Sequence, residues 1–280
     1  MTMARKYNIC LDVGGTKVLG AVFNEKDKLI CKIKRRSTEQ GNEAENIEQV
    51  IIGVTKALLQ KANIKKSQIN AISAGVPGII DSKTGIVVFT PNLPWRNYNL
   101  RSAIEKEFGA KFYLGNDVNV GVLGEHVYGA AKGYKHVVGF FIGTGVGGGL
   151  ILNGKLFEGN QFKAGELGHL HVRENGLECG CGNRGCLESY SSKKGMAKYV
   201  LAEAGKGRES LLLPNIDENG VFKSKFLKQA VEQGDEVAME AIDQACHYLA
   251  MATGSMINAI SPDLRPCKFK ANINYVDEKG

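Results

Sequence analysis

Two glycine-rich turns, each tied to β-rich runs, constrain this chain more than any other feature. The first is Asp12-Val13-Gly14-Gly15-Thr16-Lys17, where the run Tyr7 to Val13 gives way to Val18 to Phe23. The second is Gly143 to Gly149, between Val137 to Ile142 and Leu150 to Leu152. A turn without side chains lets several backbone N–H groups converge on phosphate oxygens, and Thr16 or Thr144 adds a hydroxyl. Either turn alone is equally a tight hairpin. The pair, each opening a β-meander, favours phosphate.

The pattern around the first turn continues with a third β-rich run, Leu29 to Lys34, and a helical period over 42–62 that spaces Ile47, Val50, Ile51, Val54, Ala57 and Leu58 by three and four. A fourth strand follows at Ile69 to Ala74. Periodicity alone says α/β. Strand-strand-strand-helix-strand, with an aspartate ending the first strand, resembles the ribonuclease-H-like half of actin-type ATPases. A second set starts near His136, with Asn153-Gly154 predicting a two-residue hairpin. From Ser224 the chain reads as helical, and over Glu236 to Ile260 it places Val237, Ala241, Ala245, Tyr248, Leu249, Ala252, Met256 and Ile260 on one face. A two-lobed fold is expected, residues 1–117 forming one ribonuclease-H-like lobe and 118–280 the other.

Two motif matches inside the second turn fail on context. Gly143 to Gly148 fits G-x-G-x-x-G, but a dinucleotide site needs a helix next and a hairpin strand follows. Gly149 to Lys155 fits G-x-x-x-x-G-K, but position 156 is Leu where a magnesium-holding Ser or Thr belongs.

The formal charge of +7, from 36 basic and 29 acidic residues, is scattered through Lys56, Lys61, Lys65, Lys106 and Lys132. That is solvated surface, without the aromatic-interleaved stripe of a nucleic-acid footprint. No run reaches the roughly 18 apolar residues of a membrane span, and Met1 to Lys6 lacks an apolar leader core. A cytoplasmic protein with neither nucleic-acid nor membrane partner is expected.

Three of the seven cysteines crowd into Cys179-Gly180-Cys181-Gly182-Asn183-Arg184-Gly185-Cys186. An odd count, clustered this way, points to a reducing compartment and a metal knot, with free thiols in a loop as the plain alternative. A closed tetrahedral zinc site needs a fourth ligand, and His169 is the best candidate, with His171 the alternative. A site filled by protein on every side makes the zinc structural.

Glu166 and Glu188 flank this knot, and Gly115-Asn116-Asp117-Val118-Asn119 ends a predicted strand before a helix over 120–128. Such carboxylates suit a polyol, which offers several hydroxyls at once. Asp117 at a strand terminus is placed to take a proton from an attacking hydroxyl. Taken singly, each acid is more often a cap or a surface residue than a functional one.

Together these residues resemble the ROK family, named for repressors, open reading frames and kinases. The matches are Asp12 to Lys17, Gly75-Val76-Pro77-Gly78, Asn92-Leu93-Pro94-Trp95, Gly115 to Asn119, Gly143 to Gly149, Glu166-Leu167-Gly168-His169 and Cys179 to Glu188, in the family's order over 7–260. The E-x-G-H and C-x-C-G-x-x-G-C-x-E pair is the most specific of them. The resemblance implies an actin-like ATPase fold with a zinc-binding loop and an ATP- and Mg²⁺-dependent kinase of a hexose, glucose first. N-acetylmannosamine, N-acetylglucosamine and fructose are the alternative substrates. It implies phosphate contacts at Gly14, Gly15, Thr16, Lys17, Thr144 and Gly145, with Asp12 toward magnesium. Sugar contacts fall on Gly78, Asn92, Asn116, Asp117, Glu166, His169 and Glu188, with Asp117 the general base. Structural zinc falls on His169, Cys179, Cys181 and Cys186, and a homodimer is the usual assembly.

After Glu236 to Ile260 the family continues with Asn-Pro-Asp or similar, an apolar strand and a glycine turn on the adenosine side. Ser261-Pro262-Asp263-Leu264 begins that pattern, but the stretch from Arg265 to Gly280 is polar and lacks both features. A truncated or divergent C-terminus is expected, which raises a rival of another class: a sugar-binding protein impaired in catalysis. A sugar-sensing repressor is the third possibility, disfavoured because only about eleven residues precede Asp12, too few for a helix-turn-helix.

Overall fold

The computed structural model describes residues 6–37 and 43–263. The C-terminal stretch beyond Asp263, on which the expectation of a truncated or divergent end falls, lies outside the described residues. The chain divides into two compact units. One takes the chain up to Val127 together with Glu158–Ala164; the other takes Tyr128–Phe157 and the chain from Gly165 onward. The division thus falls one helix later than the 117/118 boundary expected from motifs.

In the first unit, β1 (Tyr7–Val13), β2 (Lys17–Asn24) and β3 (Leu29–Arg36) form an antiparallel meander. Asn24 closes the second turn by accepting the N–H groups of Lys26 and Lys28 on Oδ1, at 2.9 and 3.0 Å. Helix α1 (Ala44–Ala62) lays Ile47, Val50, Ile51, Val54 and Leu58 on the sheet, and ends where Asn63 turns left-handed at φ 54°. Strand β4 (Ile69–Val76) returns parallel to β1. Next come β5 (Ile79–Asp81), β6 (Ile86–Phe89) and β7 (Arg96–Tyr98), a small antiparallel sheet. Helix α2 (Leu100–Phe108) is capped by Asn99, which accepts the Ser102 N–H at 3.0 Å, and leads into β8 (Lys111–Asn116), parallel to β4. The main sheet runs β3-β2-β1-β4-β8. Helix α3 (Asp117–Tyr128) follows directly.

Alternation sets the core of this unit. Ile9, Leu11 and Val13 of β1 and Val18 and Val22 of β2 are buried with the α1 residues, as period-2 patterning requires. The residues between them, Asp12 included, lie on the other face of the sheet.

In the second unit, β9 (Val137–Ile142) pairs antiparallel with β10 (Val146–Leu152), which pairs with β11 (Lys155–Leu156). Asn153 and Gly154 take φ of 53° and 74°, the positive angles that the Asn-Gly hairpin predicts. The glycine loop is shorter than the sequence suggests. Gly147, Gly148 and Gly149 are strand, paired with Phe141, Phe140 and Gly139. Only Gly143 to Gly145 remains a turn, because the hydrophobic partner strand outweighs the weak strand propensity of glycine.

Helices α4 (Glu188–Ser191), α5 (Lys193–Ala204), α6 (Ser224–Glu232) and α7 (Glu236–Ile260) complete the unit. The predicted face of α7 is the buried one. Val237, Ala238, Ala241 and Ala245 pack with Met196, Ala197 and Val200 of α5, while Leu249 and Ala252 meet Val146 and Leu187, and Met256 meets Leu150 and Leu167. No described helix is long and apolar enough to cross a membrane.

Asp235 caps α7 and ties it to the preceding loop. Its Oδ1 accepts the Ala238 N–H at 2.9 Å, and its Oδ2 accepts the Leu211 N–H at 2.7 Å and the Ser210 hydroxyl at 2.8 Å. Burial alone would lift this carboxyl, but the bonds from Ala238, Ser210, Leu211 and Leu212 outweigh it and hold Asp235 below the ordinary aspartate range. A folded value below the unfolded one stabilises the fold above about pH 4 and loses that contribution as pH falls through the folded value. Asp235→Ala is expected to lower stability by about 2 kcal/mol near neutral pH, read as a lower urea midpoint. The gap from the unsubstituted protein should narrow on acidification.

Candidate functional site

The carboxyl ends of β1, β4 and β8 bring the first group of residues together. Asp12 stands opposite Gly75 in the parallel register, Gly75 opposite Gly115, and Val76 opposite Asn116. A methyl group on Gly75 would stand 3.2 Å from the Asp117 Cα. In open α/β sheets these strand ends are where ligands bind.

The turn after Asp12 is closed by the Gly14 N–H donating to the Lys17 carbonyl at 2.9 Å. Ser37, fully buried, secures it twice: its hydroxyl donates to the Gly14 carbonyl and its N–H to the Thr16 carbonyl. Thr16 and Lys17 are left exposed. Ser37 was not legible as a site residue, because it follows β3 and reaches the turn only through strand pairing. Gly15 also borders the Pro91–Leu93 loop, with a methyl group there only 3.2 Å from the Asn92 Cβ.

Asn116 is a hub. Its Nδ2 donates to the Gly78 carbonyl at 3.0 Å, and its Oδ1 accepts the N–H groups of Val118 and Asn119 at 2.9 and 3.0 Å, capping α3. Gly78 itself has φ 111°, and a methyl group there would collide with the Phe89 carbonyl, so only glycine completes this turn. Asp117, half-buried, accepts the Val118 N–H at 2.9 Å. Burial pushes its carboxyl above the ordinary aspartate range, the neighbouring Asp12 carboxylate pushes the same way, and the Val118 bond opposes them without prevailing.

In the second unit, the Gly143 N–H donates to the Gly145 carbonyl at 2.8 Å and closes the other turn, leaving Thr144 exposed. Two contacts hold it. The Lys193 N–H, at the start of α5, donates to the Gly143 carbonyl at 2.9 Å, and Glu188 Oε2 accepts the Val146 N–H at 2.9 Å. A methyl group on Gly145 would collide with that same carboxylate, so glycine here is a steric requirement. Glu166 begins a single 3-10 turn, Leu167–His169, its carbonyl accepting the His169 N–H at 3.0 Å.

His169, Cys179, Cys181 and Cys186 offer four ligand atoms that lie within 4.8 Å of one another. Cys181 and Cys186 sulfurs are 3.7 Å apart, as are the Cys179 sulfur and His169 Nδ1. A tetrahedral ion with zinc–sulfur bonds near 2.3 Å needs sulfur separations of about 3.8 Å, so the donor set fits. His171 lies apart from this group, its backbone paired with Cys186 and its ring beside Gly185. Backbone bonds shape the loop: Gly182 N–H to the Cys179 carbonyl at 3.0 Å, and Cys179 N–H to the Asn183 carbonyl at 2.8 Å.

Burial disfavours a Cys181 thiolate, yet the Asn183 N–H and the adjacent thiols bring it below the ordinary thiol range. Burial and the neighbouring Cys181 and Cys179 sulfurs push Cys186 up to about 12. A dication among them would reverse the Cys186 shift, since a coordinated thiol is deprotonated outright. The cluster reaches the other residues through Glu188, whose Oε1 lies 3.9 Å from the Cys179 sulfur.

Comparison with known proteins follows these positions. The ROK family profile matches residues 8–264. The glucokinase of Halalkalibacterium halodurans is 31% identical over 93% of this chain and 79% of its own length. A xylose repressor of Caldicellulosiruptor bescii is 30% identical over 80% of this chain and 56% of the repressor. A solved ROK family glucokinase from Streptomyces griseus, in complex with glucose and AMPPNP, is 29% identical and matches 91% of this chain and 80% of that one with a TM-score of 0.75. A match of this extent means that the protein belongs to the ROK family and has its actin-like ATPase fold.

Proposed function

We propose that the protein is an ATP-dependent hexose kinase that transfers the γ-phosphoryl group to the 6-hydroxyl of glucose, with Asp117 as general base. The observation that carries this reading is the setting of Asp117: a half-buried carboxylate at a strand end, beside Asp12, with its pKa lifted above the ordinary range. A carboxylate so lifted takes a hydroxyl proton more readily than an ordinary one. The glucokinase relative, and the glucose and AMPPNP bound by the Streptomyces griseus enzyme, support the same chemistry.

Phosphoryl transfer asks for alignment and charge neutralisation more than covalent help. Asp117 accepts the proton of the 6-hydroxyl as its oxygen bonds to the γ-phosphorus, and the β–γ bridging oxygen leaves with ADP. The N–H groups of Gly15 and Thr16, and of Thr144 and Gly145, donate to phosphate oxygens; Gly14, whose N–H is taken by the Lys17 carbonyl, shapes the turn, and the Lys17 ammonium adds positive charge. Asp12 would hold Mg²⁺, which supplies further neutralisation when bound. Gly78, Asn92, Asn116, Glu166, His169 and Glu188 take the sugar hydroxyls. Asn116 comes preoriented, since Gly78, Val118 and Asn119 fix its amide plane.

Zinc on His169, Cys179, Cys181 and Cys186 would be structural. His169 turns Nδ1 toward Cys179. A metal held through Nδ1 would orient the ring and leave Nε2–H as a donor for sugar. A reducing, cytoplasmic setting suits three thiolates, and the homodimer common in the family is proposed with it. The likeness to a xylose repressor carries the second reading, a sugar-responsive binding protein without turnover.

An ATP-coupled assay over glucose, mannose, fructose, N-acetylglucosamine and N-acetylmannosamine is expected to give its highest kcat/KM with glucose; binding without turnover across the panel would favour the second reading. Asp117→Asn should cut kcat at least a hundredfold and leave the glucose dissociation constant nearly unchanged. Its melting temperature at pH 7 should not fall. A raised folded pKa favours the fold below about pH 4 and loses that contribution as pH rises through the folded value, so the ionised carboxylate costs stability at neutrality. Metal analysis should find about one zinc per chain, and a folded, sugar-binding protein free of metal would refute the zinc assignment.

A further inference from the structure

We propose that Ser37 is a positioning residue for nucleotide phosphate, acting through the peptide planes of the turn after Asp12, an inference that rests on that turn being the phosphate contact read above. Ser37 follows β3 directly and is fully buried. Its hydroxyl donates to the Gly14 carbonyl, and its N–H donates to the Thr16 carbonyl at 3.1 Å. Serine and turn both belong to the first compact unit.

A trans peptide carries its C=O and its N–H on opposite edges of one plane. The Gly14 carbonyl and the Gly15 N–H share such a plane, so tying that carbonyl back to Ser37 turns the Gly15 N–H away from the serine. A hydrogen bond accepted by the carbonyl also polarises the peptide and strengthens its N–H as a donor. The Thr16 carbonyl belongs to the plane that leads into Lys17, and Ser37 holds this one too. The plane between them, which bears the Thr16 N–H, is therefore bounded on both sides by planes that one residue fixes. Two adjacent glycines have a wide choice of φ and ψ and need an outside group to select one arrangement. Ser37 supplies it.

Sheet register brings the serine to the turn. Lys17 pairs with Arg36, so the next residues outward, Thr16 and Ser37, stand opposite one another where the ladder ends. The same register opposes two exposed cations, Lys17 and Arg36, and like charges directly opposite one another cost stability. An anion held at the turn would offset that repulsion. Gly15 is bounded from another direction by the 91–93 loop, since a methyl group on it would stand 3.2 Å from the Asn92 Cβ and 3.4 Å from the Asn92 carbonyl oxygen. That loop is braced in turn: the buried Thr90 hydroxyl donates to the Leu93 carbonyl at 2.6 Å, and Arg96 donates to the Thr90 carbonyl at 2.8 Å. Gly15 thus lies between a braced loop and a peptide plane tied to a buried serine.

The test compares Ser37→Ala and Ser37→Thr in the full chain with a control, Thr55→Ala, which removes another buried hydroxyl bond of the same unit, to the Ile51 carbonyl within α1. Calorimetry gives dissociation constants for AMPPNP, inorganic tripolyphosphate and glucose without turnover, and kinetics give KM for ATP and for glucose. Ser37→Ala keeps the backbone bond to Thr16 and is expected to weaken AMPPNP and tripolyphosphate about tenfold and to raise KM for ATP alike, while glucose affinity holds. Ser37→Thr, which keeps the hydroxyl, should restore nucleotide affinity, and Thr55→Ala should leave it unchanged. Unaltered AMPPNP and tripolyphosphate affinity in Ser37→Ala, equal weakening of glucose and nucleotide, or the same nucleotide loss in Thr55→Ala would overturn the proposal. A parent protein that binds AMPPNP or tripolyphosphate without turnover defeats the kinase reading and leaves Ser37 tested by affinity; one that binds neither overturns both.

Discussion

The parallel pairing of β1 with β4 and of β4 with β8 is the constraint on which the proposed catalytic residues depend. It sets Asp12, Gly75 and Gly115 abreast and delivers the chain into α3 at Asn116 and Asp117. The register is enforced from the other face of the sheet. Ile9, Leu11 and Val13 are buried with α1, and a slip of one residue would turn them outward and send Asp12 into the core. Hydrophobic burial, which carries no chemical information, thereby fixes where the two carboxylates meet. A side chain at Gly75 would crowd the same place, since its Cβ would stand 3.2 Å from the Asp117 Cα.

Strands and helices whose period matches their burial were legible in the sequence: β1 to β4, β9, α1 and the apolar face of α7. The cysteine loop was legible because its spacing is chemical, yet spacing left both His169 and His171 open. Choosing between them required the fold, in which His171 is drawn aside by pairing with Cys186. The glycine run was misjudged in extent. Three of its residues are strand because Phe140 and Phe141 lie opposite, a nonlocal fact. Ser37 carries no local signal at all: it reaches its partner over a sequence separation that only the assembled sheet makes short. The unit boundary was blurred for a like reason, because Glu158–Ala164 leaves one compact unit for the other and no composition shift marks it.

In the second unit one carboxylate does the joining. Glu188 accepts the Val146 N–H, presses on Gly145 and lies beside the Cys179 sulfur, so the phosphate-type turn and the cysteine loop share a single side chain. This gives a physical reason for the proposed structural ion to lie beside residues proposed to do chemistry. Thiolates crowded within 4.8 Å need a cation to persist together, and the loop they close carries the backbone from which Glu188 emerges. A metal held there would stiffen a position without entering the reaction.

Asp117 shows the opposite economy. Its carboxylate is desolvated and faces a like charge on Asp12, two effects that raise its pKa and so oppose ionisation. A chain selected for stability alone would place Asn there, keeping the Val118 hydrogen bond and shedding the charge. Asp12 could not relieve the strain by moving, since its place is fixed by the register of β1. Two acids held close at a strand end, at a cost that packing elsewhere must offset, accord with the roles proposed for them: one taking a proton from an attacking hydroxyl, the other holding a cation that accompanies phosphate.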